Sequence, residues 1–173
     1  MPSQPISTLL KGSDRRSIGR SNEVAKLVSR NPRRFGELMQ CLWHEDPAVR
    51  MRSADAAEKV SAAKPEMLKP YKAELLGLLA ETEQIELRWH LAQMVPRLGL
   101  TEAERNRAAE TLRLYLEDRS SLVRTFALQA LADISRTDTR LRERARELLE
   151  EALRGGTAAM KARARKLLTQ LKS

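Results

Sequence analysis

Residues 120–134, SSLVRTFALQALADI, return in related form three more times along the chain. Anchored on Arg124, the same frame falls on Arg50, Arg88 and Lys161, at separations of 38, 36 and 37 residues. A period of that length carried by helical patterning restricts the chain to stacked helical repeats, since one unit cannot bury its apolar face alone. Four residues before the anchors stand Asp46, Gln84, Ser120 and Thr157. Three of these carry the short side-chain oxygen that accepts an amide hydrogen in the first turn of a helix. Pro47 follows Asp46, where a missing amide costs nothing. Val49, Leu87, Val123 and Met160 precede the anchors, and Val60, Leu98, Ile134 and Leu171 lie ten residues beyond them. Both columns are apolar and fall on one helical face.

Twelve residues before each anchor is a leucine: Leu38, Leu76, Leu112 and Leu149. One turn further come Leu42, Ala80, Leu116 and Leu153, which places a second helix upstream of the first in every unit. The expected architecture is an all-α solenoid of about four helix pairs, with Ser21 to Arg30 as a short N-terminal capping helix. Asp46-Pro47-Ala48-Val49-Arg50 resembles the opening of the second helix in the HEAT-repeat family, Asp-Pro-x-Val-Arg, and Arg88 and Arg124 keep the arginine. The resemblance covers roughly residues 32–172, extends to uncharacterised bacterial HEAT-repeat proteins, and implies a binding scaffold whose anchor arginines tie turns together.

Two segments are expected: an arm or cap over residues 1–20, and one repeat domain over residues 21–173. The arm has prolines, glycines and serines but no helical period, and its residues 14–20 are a solvated cap or a dock for an anion or partner. Within the repeats, helices are expected near 32–45 and 47–62. Pro65 and Pro70 predict a turn before a helix starting near Pro70. Pro96 should end or kink its helix, Gly99 should follow as a C-cap, Thr101 and Glu104 should form a capping box, and Gly155-Gly156 should turn the last pair.

Charge narrows the functional classes. The net charge of +9 is uneven: residues 1–34 hold eight Lys/Arg against two Asp/Glu, residues 35–136 fourteen against sixteen, and residues 137–173 ten against five. A cationic groove along the repeats is therefore not expected, although the basic ends allow weak, non-specific contact with nucleic acid. Cys41 is the single cysteine, so no disulfide can form within one chain, and a cytoplasmic monomer is expected. The longest leucine-rich run is far short of the roughly 20 residues that a membrane span requires.

No phosphate-binding glycine loop, paired-histidine motif or Cys-x-x-Cys pair occurs, so no catalytic residue, metal or cofactor is assigned. Cys41 and His44 could face each other on one helix, the minimum for an activated thiol, although the Cys41 column (Leu79, Tyr115, Ala152) reads as packing. Trp43 departs from a charged column and is expected under the N-terminal cap; Trp89 is expected between neighbouring repeats. The face of the second helices away from the core carries positions two, five and nine after each anchor. It reads Arg52, Asp55, Lys59; His90, Gln93, Arg97; Phe126, Gln129, Asp133, with Arg163, Lys166 and Gln170 in the last unit. Those rows are the candidate partner-binding ridge. The leading expectation is a non-enzymatic adaptor for a protein partner. The alternative is a nucleic-acid-binding protein similar to the HEAT-like alkylpurine DNA glycosylases, with Asp55, Trp89 and Arg52 in the aspartate, aromatic and cationic parts.

Overall fold

Proline and cap residues set where several of the helices begin. The computed structural model describes residues 4–14 and 16–171, and the regular structure among them is helical, with no strand. The chain divides into two compact units, Met1–Tyr71 and Lys72–Ser173, with the boundary inside the expected 21–173 domain.

The first unit contains α1 (Ile6–Leu10), α2 (Ser21–Arg30), α3 (Phe35–Gln40) and α4 (Pro47–Ala63). Asp46 caps α4 by accepting the Ala48 amide at 2.8 Å, with Pro47 in the first turn. The expected single helix near 32–45 is instead α3 between two 3-10 turns, Pro32–Arg34 and Cys41–Trp43. α1, α2, α3 and the 3-10 segments Cys41–Trp43 and Pro65–Tyr71 all pack on α4. α4 is therefore buried on its polar positions as well as its apolar ones, including Arg52, Ser53, Asp55 and Ser61. The arm is also more ordered than its composition implied. It contains α1, whose Ile6 and Leu10 are fully buried, and a five-residue helix is too short to declare itself by period. Pro65–Tyr71 forms a 3-10 segment that includes Pro70.

The second unit contains α5 (Lys72–Glu81), α6 (Ile85–Met94), α7 (Glu102–Tyr115), α8 (Ser121–Ile134), α9 (Thr139–Gly155) and α10 (Ala158–Leu171). α5 packs on α6, α7 on α8 and α9 on α10; α6 also packs on α8, and α8 on α10. The expected boundaries hold at Pro96, where α6 gives way to the 3-10 turn Val95–Arg97, and at Gly99, whose φ is +62°. Thr101 and Glu104 make the reciprocal capping box. Asp138 caps α9 through the Leu141 amide at 3.0 Å. Gln84 gives α6 no side-chain cap; the Thr82 hydroxyl accepts the Gln84 amide instead.

The core columns are buried as expected at Leu38, Leu42, Leu112 and Leu149, and at all four residues preceding the anchors. In α5 the buried pair is Leu75 and Leu79, while Leu76 is partly exposed and Ala80 exposed. α5 is thus turned by one residue relative to the repeat frame, which a run of leucines permits because neighbouring positions are equally apolar.

Candidate functional site

The nine ridge positions separate into two environments. On α4, Arg52, Asp55 and Lys59 share one face, and the N-terminal segments occupy it. The Arg52 guanidinium donates to the carbonyls of Leu10 at 2.7 Å, Ser17 at 3.0 Å and Gly12 at 3.5 Å, and to that of Asp14. It is 2% exposed. Asp55 accepts from the Ser21 hydroxyl and from Lys59, and Lys59 also donates to Asn22 at 2.6 Å. This corrects the expectation of an open ridge at Arg52 and Asp55, because a buried guanidinium and carboxylate require internal partners and the arm supplies them. Two glycines allow the close approach: a Cβ on Gly12 would lie 2.8 Å from an Arg52 nitrogen, and one on Gly19, at φ +51°, would lie 2.9 Å from another. Leu10, Gly12, Asp14 and Ser17 accordingly form a clasp on Arg52. Arg15 lies outside the described residues.

In the second unit the equivalent positions form a row across α6, α8 and α10. Phe126 stacks on Trp89 with ring centroids 5.7 Å apart and planes at 23°. The Arg163 guanidinium sits over the Phe126 ring, 5.5 Å from its centroid, a cation–π distance. Arg163 also donates to Gln129 Oε1 at 2.9 Å, Gln129 donates to Asp133 at 3.0 Å, and Arg136 donates to the other Asp133 oxygen at 2.9 Å. This relay holds the cation against the ring. Gln93 donates back to the Trp89 carbonyl at 3.2 Å, and Arg97 is half-buried. His90 departs from expectation: it is 1% exposed, with its ring against that of Trp89 at 3.5 Å. Trp89, expected between repeats, faces the next pair through Phe126. It takes the place at the surface that His90 was expected to fill.

No family model matches the sequence, and no curated protein does. Among solved structures, the crystal structure of an engineered protein, a Northeast Structural Genomics Consortium target, is similar in fold at a TM-score of 0.67 and 19% identity, over 96% of this chain and 78% of that one. At that identity the likeness concerns the fold alone.

The remaining candidates resolve into structural roles. The Cys41 thiol donates to the Glu37 carbonyl at 3.4 Å, and burial, with Glu37's charge adding, pushes its pKa up to about 11. A thiol so held is not an activated nucleophile. His44 Nδ1 accepts the Asp46 amide at 3.0 Å, within the turn before α4. Trp43, expected under the cap, is 50% exposed, because the arm closes on Arg52 instead. The anchors Arg50 and Arg88 tie turns: Arg50 donates to the carbonyls of His44 and Glu45, and Arg88 to that of Thr82 and to Asp118 at 2.7 Å. Burial alone would raise the Asp118 carboxyl, but the Ser120 amide and Arg88 outweigh it and hold it below its ordinary range. Among the described residues, no group of three or more His, Cys, Asp or Glu is placed to hold a metal, and no helix is long and apolar enough to cross a membrane.

Proposed function

We propose that the chain is a HEAT-like solenoid acting as a non-enzymatic, protein-binding scaffold, with the Trp89–Phe126–Arg163 row as its contact surface. The observation that carries this reading is the cluster itself: the Phe126 ring meets the Trp89 ring and the Arg163 guanidinium, from three successive pairs, with Gln129 and Asp133 bonded beside them. Aromatic and arginine side chains supply most of the energy at protein interfaces, and a border of mixed charge sets specificity. Arg52 and Asp55, which a nucleic-acid groove would need, are occupied internally.

The test pairs two assays on the full chain. Proteins captured by immobilised wild type should be lost with Phe126→Ala and Arg163→Ala and kept with Lys69→Ala. Duplex DNA, followed by fluorescence anisotropy, should bind more weakly than about 10⁻⁶ M near physiological salt. Tighter DNA binding abolished by Phe126→Ala, or release of a modified base, would transfer the function to the nucleic-acid alternative.

A further inference from the structure

Arg124 breaks the pattern of its own column. Arg50 and Arg88 give their guanidinium hydrogens to carbonyls of the turn before their helix, and Arg88 also meets Asp118, thirty residues on. Arg124 has neither kind of partner. Its Nε is buried and donates to no acceptor among the described residues, and the position thirty residues beyond it is Arg154, a like charge. A buried donor without an acceptor is costly, and native structures rarely keep one unless solvent or a ligand completes it.

Arg124 lines a cavity of about 380 Å³ between α7, α8 and α9, closed by the first turns of α10. Arg113 and Arg144 line it too, but they meet Glu110 at 3.6 Å and Glu147 at 2.6 Å. One side is aliphatic, formed by Leu116, Leu128, Leu148 and Met160. Glu117 and Glu151, both exposed, complete the charged side.

We propose that this cavity binds a monoanionic carboxylate with a short aliphatic body. The carboxylate takes the place at Arg124 that Asp118 takes at Arg88, accepting the orphaned hydrogen in a charge-assisted bond. The body rests on the leucines and Met160. Of the three lining arginines, Arg113 and Arg144 are already met by Glu110 and Glu147, so Arg124 offers the open cationic valence, and Glu117 and Glu151 disfavour an anion that brings a second charge. The volume is near the lower end of small-ligand pockets, about 300–1,000 Å³. It suits either a small aliphatic acid or the last residue of a peptide with its free carboxylate. The cavity uses no side chain of the Trp89–Phe126–Arg163 row and stands whether or not that row binds a protein.

The experiment follows the arginine Nε–H signals of the full chain by ¹⁵N–¹H NMR, with the Arg124 signal assigned by its loss in Arg124→Lys. Hexanoate, N-acetyl-Ala-Leu with a free carboxylate, its C-terminal amide, and inorganic phosphate are titrated separately. A saturable shift of the Arg124 signal with hexanoate identifies a small acid as the source, and with the free peptide a chain terminus. The amide and phosphate should leave it in place. Followed by calorimetry, Arg124→Gln should weaken binding roughly ten- to a hundredfold, the effect of losing a charge-assisted hydrogen bond. Glu151→Gln, an exposed change that leaves the core intact, should tighten carboxylate binding and admit phosphate; it serves as the decisive variant if Arg124→Gln does not fold. The proposal is overturned if neither carboxylate saturates, if phosphate binds wild type as tightly, or if affinity is unchanged in a folded Arg124→Gln or in Glu151→Gln.

Discussion

Replacing Arg52 with alanine should detach the N-terminal arm. Arg52 donates to four carbonyls, and that of Leu10 is both buried and at the C-terminal end of α1, where a cation is favoured and an orphaned carbonyl is not. Hydrogen bonds to charged groups contribute about 1.5–3 kcal/mol each, but water can reach the Gly12, Asp14 and Ser17 carbonyls once the side chain is gone. Stranding the Leu10 carbonyl, losing the shared bonds and emptying the space of the buried stem together give a loss of roughly 3–5 kcal/mol, the scale for removing one member of a buried charged arrangement. Hydrogen-exchange mass spectrometry reads this locally: peptides covering residues 6–20 should lose protection by that amount. Arg52→Lys, which keeps the charge but lacks the planar fork, should lose less. Unchanged protection over residues 6–20 in Arg52→Ala would refute the idea that this guanidinium holds the arm.

Other outcomes follow from the same contacts. Leu112→Ala, at a fully buried site, should cost about 2–5 kcal/mol in urea denaturation. Gly19→Ala should lower the melting temperature through its positive φ and the contact with Arg52, whereas Gly77→Ala, with open space around it, should not. Deleting residues 1–20 should reduce stability yet barely move tryptophan emission, since Trp43 is already half-exposed; a large red shift would contradict the arm's placement. Glu104 is held down from its ordinary 4.5 to about 2 by its bond to Lys72 and by the Thr101 amide. A depressed carboxyl stabilises the fold above its unfolded value, and that contribution is lost as pH falls from about 4.5 towards 2. Glu104→Gln should flatten the stability profile in that window and leave a smaller difference from wild type at the acid end.

Much of the local structure was legible in the residues. The period placed the second helices of the repeats, and caps such as Asp46, Ser120 and the Thr101–Glu104 box marked helix starts, because these signals act within one or two turns of chain. The columns before the anchors identified core positions for the same reason: burial on a helix face follows its period. What the sequence could not show was which polar positions would be covered. Arg52 and Phe126 occupy the same column, yet one lies beneath the arm and the other in the aromatic row. That difference comes from α1 and from Gly12, Asp14 and Ser17, in a stretch that shows no helical period and meets α4 only after some forty residues of chain have folded back. The one-residue turn of α5 and the unpaired Arg124 are decided likewise, by contacts between helices rather than within them. Local sequence therefore determined the helices and their likeness to one another, and tertiary packing determined which copies of the shared face stay open.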